Sequence, residues 1–269
     1  MSSTAFAVSP RPVVTHAEDG AEQPLLARKL SYYLSLSRAE REVLAKALSL
    51  DVRRVQRRAI LLECGAVPTK LAIMRAGWAC RYKVARNGRR QVVAFYLPGD
   101  ICDFSIFMAP EIDSTIELID GAEVAGLSRG QLAALSRAQP RIVRAFWRDA
   151  QSAASIQREW MVNIAQRGAC ERTAHLLSEI VARLDSVGLF DADGCCDLPI
   201  TQADFGDACG MTAEHTNRCL RELRDAGLAM WKNGRLSVPD PARLAALAGF
   251  DPAYLQLRPL HDDEAVPTL

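Results

Sequence analysis

Hydrophobic and polar positions alternate in three different ways along the chain, and each pattern predicts a different kind of element. Residues 52–127 form short β-prone runs separated by turns. After Pro140, apolar residues recur three and four positions apart, which is typical of a long helix. Residues 198–228 hold two short helical patterns around Gly210. The chain therefore predicts a β-rich unit, a long helix and a compact helical unit, in that order.

The β-rich segment contains two glycine turn signals. These are Asn87-Gly88, between residues 80–84 and 91–96, and Asp120-Gly121, between residues 115–119 and 123–127. Because such pairs between β-prone runs favour hairpins, we expect two hairpins within a compact all-β roll or barrel. Ahead of this segment, Ser37 and Glu40 form a capping-box pattern that predicts a short amphipathic helix.

The long helical pattern carries an apolar seam with the alternating spacings of a coiled coil. Its members are Val143, Phe146, Ala150, Ala153, Gln157, Trp160 and Ile164. We expect two such helices to pair, with Gln157 as the lone polar residue that fixes their register. The alternative is a helix packed on its own domain, with which Trp147 and Met161 beside the seam are compatible.

A break is predicted at Gly168, before a further helix with an apolar stripe. That stripe comprises Ala174, Leu177, Ile180, Val181 and Leu184. Residues 191–197 are rich in Asp and Gly, and they predict a loop.

The C-terminal pattern carries the start and stop signals of a helix-turn-helix. Thr201 and Asp204 predict a capping box, Gly210 a tight turn, and Thr212 the cap of a second helix. On the second helix, the face that can be buried comprises Thr216, Cys219, Leu220 and Leu223. An Asn233-Gly234 pair between apolar runs predicts a hairpin wing. Together these signals predict a winged helix-turn-helix.

The opposite face of the second helix displays polar side chains suited to base edges. It comprises Glu214, Asn217, Arg218 and Arg221, with His215 at its edge. An arginine fork matches O6 and N7 of guanine, and a carboxylate accepts from the cytosine amino group. Because acidic residues balance the arginines of this helix, its charge alone does not indicate nucleic acid. The alternative from a different class of function is a ligand-binding or protein-interaction module without specific DNA recognition.

Bulk composition narrows the function classes. A chain of 269 residues with 49% hydrophobic content can bury a substantial core, and its length suggests about two domains. The net charge is +1, so attraction to DNA must come from local placement of Arg and Lys. No apolar run approaches the ~18 residues of a membrane span, and no secretion signal opens the chain, so we expect a cytoplasmic protein without a membrane partner. An enzyme is not expected, since glycine phosphate loops, metal-binding His pairs and nucleophile elbows are absent.

Taken together, these patterns resemble the CRP/FNR family of bacterial transcription regulators. The residues that carry the resemblance are Leu97-Pro98-Gly99-Asp100, Leu198-Pro199, Ile200-Thr201-Gln202 and Glu214-His215-Thr216-Asn217-Arg218. The resemblance covers nearly all of residues 25–250 and implies an α+β fold. That fold has a flexible N-terminal arm (1–24), a cyclic-nucleotide-binding-like β-roll sensor (25–138), a dimerisation helix (139–168), a winged helix-turn-helix (169–250) and a C-terminal tail (251–269).

By this resemblance, the protein is expected to bind double-stranded DNA as a homodimer on a two-fold symmetric operator and to contact RNA polymerase. The family pattern places Glu214 and Arg218 on base edges, and Asn217 on an adjacent base. Phosphate contacts are expected from Thr201, Gln202, Thr212 and Arg221. The edge position of His215 admits either contact with DNA or packing at the helix flank.

The resemblance also bears on the sensor ligand. Relatives that bind cyclic nucleotides use an arginine and a glutamate after the Gly99-Asp100 turn, yet residues 101–127 contain no Lys or Arg. Because the carboxylates of this segment would repel a phosphate, cyclic AMP is not expected to bind. An iron-sulfur cluster needs an N-terminal group of cysteines, whereas the first cysteine is Cys64. No cofactor and no metal site are therefore predicted.

The eight cysteines include no Cys-x-x-Cys motif, and a disulfide framework is not expected in a reducing compartment. Haem stays open as a cofactor through thiolate ligation by Cys64, Cys80 or Cys102. A histidine ligand from the β-roll is not expected, because no histidine occurs between His16 and His175. The vicinal Cys195 and Cys196 fall in the predicted loop and are candidates for oxidation. A thiol-based redox regulator, or one that responds to haem or a metal, is therefore the alternative function.

Overall fold

A computed structural model of the chain describes residues 23–56, 58–107, 111–119 and 121–257. Two helices come first, α1 (Leu25–Leu30) and α2 (Arg38–Ser49). The capping box predicted for α2 is confirmed. The Ser37 hydroxyl accepts from the Glu40 amide at 3.2 Å, and the Glu40 carboxylate accepts from the Ser37 amide at 2.7 Å. Of the predicted arm, residues 1–22 lie outside the described residues.

Short strands of the N-terminal half form a β-roll from two antiparallel sheets. They are β1 (Val52–Arg54), β2 (Ala59–Leu62), β3 (Lys70–Ala76), β4 (Ala79–Val84), β5 (Arg90–Tyr96), β6 (Thr115–Leu118) and β7 (Glu123–Ser128). One sheet has the strand order β1-β7-β3, and the other has β2-β6-β4-β5. The hairpin predicted at Asn87-Gly88 is confirmed, because β4 pairs with β5. Met74 and Ile116 are buried between the sheets.

The hairpin predicted at Asp120-Gly121 is wrong. Strands β6 and β7 belong to different sheets: β6 pairs with β2 and β4, whereas β7 pairs with β1 and β3. Both edges of each strand are therefore occupied by other strands. An Asp-Gly pair favours a tight change of direction, but it does not determine which strands the flanking runs pair with. Asp120 itself lies outside the described residues.

Helix α3 (Arg129–Ala138) leads into the long helix α4 (Pro140–Gln166), which is followed by α5 (Ala169–Ser186). The predicted break is confirmed, because Gly168 caps α5 and its amide donates to the Glu171 carboxylate at 2.9 Å. The predicted apolar stripe of α5 is buried, and so are His175 and Glu179 on its other sides. Helix α5 therefore lies in the core of the C-terminal half.

The C-terminal half contains a three-stranded sheet and the two helices of the predicted helix-turn-helix. Its elements are β8 (Cys195–Asp197), α6 (Gln202–Cys209), α7 (Ala213–Asp225), β9 (Met230–Lys232), β10 (Arg235–Ser237) and α8 (Pro241–Ala248). The wing is confirmed: β9 pairs with β10, and Asn233 and Gly234 have the positive φ angles of a two-residue hairpin turn. The loop predicted at residues 191–197 is wrong in part, because β8 adds to this sheet by pairing with β10.

The segment predicted as a tail, residues 251–269, begins with an ordered contact. A short 3-10 helix (Pro252–Leu255) packs against α4 and α5. Ser152 donates to the Leu255 carbonyl at 3.1 Å, and the Tyr254 hydroxyl donates to Glu179 at 2.9 Å. Residues 258–269 lie outside the described residues. No described helix combines the length and the apolar sequence of a membrane span.

Candidate DNA-reading surface

The two helices of the helix-turn-helix approach each other closely. An added Cβ at Gly206 on α6 would lie 2.7 Å from Thr216 Oγ1 on α7, so a larger residue would push the helices apart. The predicted turn is confirmed at Gly210, whose φ of 63° ends α6 in the left-handed region. The predicted cap of α6 is confirmed too, because the Thr201 hydroxyl accepts from the Asp204 amide at 3.1 Å. Helices α6 and α7 therefore behave as one unit.

Helix α7 buries the face that the sequence predicts. Thr216, Cys219 and Leu223 are buried, and Leu220 is half-buried. The helix is capped by Thr212, whose hydroxyl accepts from the amide three residues on at 3.4 Å. These contacts determine which face of α7 points to solvent.

The outer face of α7 is exposed along its length. It consists of Glu214, His215, Asn217, Arg218 and Arg221. None of these side chains forms a hydrogen bond or ion pair with another residue that the structure describes. Their donors and acceptors are therefore free for a ligand, and the guanidinium and carboxylate groups that suit base edges lie on one side of the helix.

The residues predicted for phosphate contact lie near two helix N-termini. Thr201 and Gln202 open α6, Thr212 precedes α7, and all three are exposed. Amide groups at a helix N-terminus suit phosphate oxygens. The Thr201 hydroxyl is already engaged, since it also donates to Asp204 Oδ2 at 2.7 Å. Arg221 lies further along the outer face of α7.

The interior of the β-roll contains an arginine whose role the local sequence does not predict. Arg81 on β4 donates to the Tyr96 hydroxyl at 2.8 Å and to the Cys102 carbonyl at 3.1 Å, and it pairs with the Asp103 carboxylate. Burial raises the pKa of Tyr96 above its ordinary value. The ion pair with Arg81 neutralises Asp103, which is one of the carboxylates of residues 101–127. The hydrogen-bond donors of Arg81 are in turn occupied by groups of the protein itself. No local motif marks Arg81, because its partners come from other parts of the roll.

The cysteines are free thiols, and most of them are buried. Burial raises the pKa of Cys80 to about 11 and that of Cys196 to about 12, and it raises the pKa of Cys102 as well. Such thiols stay protonated near neutral pH, which disfavours ligation and oxidation. The loop prediction is wrong for Cys196, because this residue lies on β8 and its side chain is buried in the core. Cys64 is exposed, and the described residues contain no group of three or more His, Cys, Asp or Glu placed to hold a metal ion.

The seam predicted on α4 is wrong at two positions. Phe146 and Trp160 are 1% and 5% exposed within a single chain, so neither is available to a partner helix. The Trp160 ring packs edge-on against Phe95 of the β-roll, with centroids 5.8 Å apart. By contrast, Trp147 and Met161 are 47% and 70% exposed. At these two places the exposed apolar side chain lies one residue beyond the buried seam position, so the accessible apolar side of α4 overlaps the predicted seam only in part.

The Leu97–Asp100 turn joins the β-roll to the C-terminal half. The Asp100 carboxylate accepts from the Leu97 amide and from Lys29 Nζ, each at 2.7 Å, and from Arg183 Nη2 on α5 at 2.6 Å. Although burial acts to raise the pKa of Asp100, the two cations hold it below its usual value. The turn therefore orients α5, and through it the helix-turn-helix.

Two family models match the chain. A cyclic nucleotide-binding domain matches residues 52–139, and a Crp-like helix-turn-helix domain matches residues 171–247. The nitrogen fixation regulation protein FixK of Bradyrhizobium diazoefficiens is 29% identical over 167 residues, which is 62% of this chain and 69% of that protein. The anaerobic regulatory protein of Aggregatibacter actinomycetemcomitans is 24% identical over 203 residues, which is 76% of this chain and 78% of that protein.

Solved structures share the fold. FixK2 from Bradyrhizobium japonicum has a TM-score of 0.64 at 23% identity, and the match covers 73% of this chain and 96% of that chain. A CRP-family transcriptional regulator from Thermus thermophilus has a TM-score of 0.58 at 22% identity, with the same coverage of 73% and 96%.

The domain order and the matches define a class: transcription regulators in which a cyclic-nucleotide-binding-like domain precedes a DNA-binding winged helix-turn-helix. The chain belongs to the CRP/FNR family, whose members are regulators and not enzymes.

Proposed function

We propose that the protein regulates transcription as a homodimer bound to a two-fold symmetric DNA site. The observation that carries this proposal is the outer face of α7, where free donors and acceptors stand on a helix whose opposite face is buried. Such a helix fits the major groove of B-DNA. Two chains would place one α7 in each of two successive major grooves. Contact with RNA polymerase is proposed from the family relationship alone.

Within each half-site, Arg218 and Glu214 are the proposed base-reading residues. A guanidinium can donate two parallel hydrogen bonds to guanine, and a carboxylate can accept from cytosine. Asn217 is proposed to read an adjacent base, and His215 lies at the edge of the same exposed face. The two helix N-termini, with Arg221, are proposed to hold the phosphates that set the register.

Helix α4 supplies the proposed dimer interface. On the accessible side of α4, one line of residues recurs at alternating spacings of four and three, as in a coiled coil. Its members are Val143, Trp147, Ala150, Ala154, Gln157, Met161 and Ile164. A second copy of this helix is the proposed occupant, because alanines in the middle of the line allow close approach and the large apolar side chains of Trp147 and Met161 are 47% and 70% exposed. Ala153, from the earlier seam, is exposed beside this line.

We propose that the β-roll does not bind cyclic AMP as the cyclic-AMP-dependent relatives do. Support comes from Arg81, whose guanidinium already bonds to Tyr96, Cys102 and Asp103. It is therefore not free to bind a phosphate. Isothermal titration calorimetry of the full chain with cyclic AMP is expected to give no binding heat. Saturable binding would overturn this part of the proposal.

Selection from randomised duplexes with the purified full chain tests the main proposal. We expect enrichment of a two-fold symmetric sequence whose half-sites are about 10 base pairs apart, centre to centre. Light scattering of the same complex is expected to give two chains per duplex. Enrichment of no symmetric sequence, or one chain per duplex, would overturn the proposal.

A further inference from the structure

Two arginines of the β-roll bond to acidic residues on the first helix of the helix-turn-helix. Arg90 Nη1 on β5 donates to Asp204 Oδ1 at 2.8 Å and to Asp207 Oδ2 at 3.2 Å. Arg58, just before β2, reaches the same carboxylate of Asp204 with both of its terminal nitrogens. The Asp204 side chain is only 3% exposed. We call this set, Arg58, Arg90, Asp204 and Asp207, the arginine clamp.

Backbone contacts continue the clamp toward the turn of the motif. Gln91 Nε2 donates to the Asp207 carbonyl at 2.5 Å and to the Ala208 carbonyl at 3.4 Å, which are orphan acceptors in the last turn of α6. Strand β5 lies at the edge of its sheet, and α6 packs against it. The β-roll therefore holds α6 both along its side and at its end.

Each side of the clamp keeps a partner in its own domain. Asp204 Oδ2 also accepts from the Thr201 amide at 3.0 Å and from the Thr201 hydroxyl at 2.7 Å. Arg58 and Arg90 also donate to Glu117 on β6, at 3.0 Å and 3.3 Å. Although burial acts to raise the pKa of Asp204, hydrogen bonds from Thr201 and the clamp arginines hold it at about 2. Opening the clamp would thus leave no buried charge without a partner, and both domains can stay folded when it opens.

We propose that Arg58 and Arg90 are positioning residues for DNA reading, which clamp α6 to the β-roll and thereby fix the angle at which each α7 is presented to the operator. The proposal rests on the proposed function, because it needs paired chains on a symmetric site. The close fit between Gly206 and Thr216 makes α6 and α7 one unit, so a force on α6 reorients α7. The clamp selects one spacing between half-sites and does not select bases.

The first test measures binding against spacing. Arg90→Gln removes one charged residue from the β-roll side of the clamp, and Asp207→Asn removes one from the α6 side. Both variants keep the Arg58–Asp204 ion pair and the capping pair of Thr201 and Asp204. Arg89→Gln is the matched control, since it removes the same charge from an exposed neighbour whose side chain bonds to no other described residue. Each protein is titrated with the selected operator and with operators whose half-sites are one base pair closer or further apart.

We expect Arg90→Gln and Asp207→Asn to weaken binding at the selected spacing by about tenfold, which corresponds to one lost interaction with a charged group. Affinity for the altered spacings should change less, so the preference between spacings narrows, while base preference within a half-site is unchanged. Arg90→Lys, which keeps the charge, should retain most of the preference. A merely structural role would instead weaken all spacings equally, and that result would overturn the proposal.

The second test needs no DNA. Amide hydrogen exchange of the full chain is expected to quicken at residues 90–96 and 202–209 in Arg90→Gln, and to stay at the wild-type rate in Arg89→Gln. Unchanged exchange in Arg90→Gln would overturn the proposal, and so would quickened exchange with a wild-type spacing profile. Failure of the proposed function would look different, because the wild-type chain would itself select no symmetric operator.

Discussion

The indole nitrogen of Trp160 on α4 donates a hydrogen bond of 2.9 Å to the carboxylate of Glu179 on α5. Glu179 is fully buried and also accepts from Tyr254 at 2.9 Å and from Arg183 at 3.1 Å. Arg183 in turn donates to Asp100 of the β-roll. The Glu179 carboxylate therefore links the long helix, the C-terminal segment and, through Arg183, the β-roll. Burial raises the pKa of Glu179.

Replacing this indole tests whether α4 is anchored in its own chain. We expect Trp160→Phe to lower the free energy of unfolding by about 2–3 kcal/mol, because a buried carboxylate loses a charge-assisted donor. The readout is urea unfolding at one fixed protein concentration, with sedimentation to confirm that the chains still pair. A variant as stable as the wild type would contradict the buried position of Trp160.

The next residue along the helix should behave in the opposite way. Met161→Glu places charges on the proposed dimer line, and like charges would face each other across the two-fold axis. We expect monomers with the circular dichroism spectrum of the wild type, measured by sedimentation equilibrium. Met230→Glu is the control, because Met230 is also a largely exposed methionine but lies on the wing. A Met161→Glu protein that remains dimeric would exclude this line as the interface.

The contrast between these neighbours shows what periodicity can and cannot predict. Tryptophan and methionine are both apolar, so spacings of three and four fit a seam through Trp160 as well as one through Met161. The choice depends on Phe95, which comes from β5 and covers Trp160. A partner 65 positions away leaves no trace in the local pattern of α4. The period of the stripe was therefore predictable, but its phase was not.

Local signals explain why the helix-turn-helix was predicted well. The Thr201 cap, the Gly210 turn and the Asn233-Gly234 wing each depend on residues a few positions apart. The clamp has the opposite character, because Arg58 and Asp204 are 146 positions apart. Arginines on a β-prone run are typical of a solvated face, so only the packing of α6 on the roll gives them a role.

Arg218→Ala tests the base-reading face of α7. We expect a loss of about 1–3 kcal/mol of discrimination at one guanine of each half-site, because the bidentate contact is removed. The measurement is a competition gel shift against operators changed at single positions. Arg224→Ala is the control, since Arg224 lies at the end of α7 and pairs with Asp225 at 3.3 Å. An equal loss on all operators would make Arg218 a phosphate contact instead.

The last prediction concerns His175 on α5. Its ring is 1% exposed, stacks on Tyr254 with centroids 6.0 Å apart, and meets the edge of Phe250 at 5.2 Å. Burial, reinforced by nearby Arg167, lowers the pKa of His175 from 6.5 to about 4. Glu159 opposes this shift, with its Oε1 3.3 Å from His175 Nε2, but does not cancel it.

Because the folded state resists protonation of His175, the unfolded state binds the proton first as the pH falls. The contribution of His175 to stability is therefore complete above pH 6.5 and is lost progressively as the pH falls toward 4. A shift of this size corresponds to roughly 3 kcal/mol across that window. His175→Phe keeps an aromatic ring between Tyr254 and Phe250 but cannot titrate, so its unfolding free energy should decline less over the same range. Urea unfolding at several pH values measures both proteins, and parallel declines would show that other groups set the acid sensitivity.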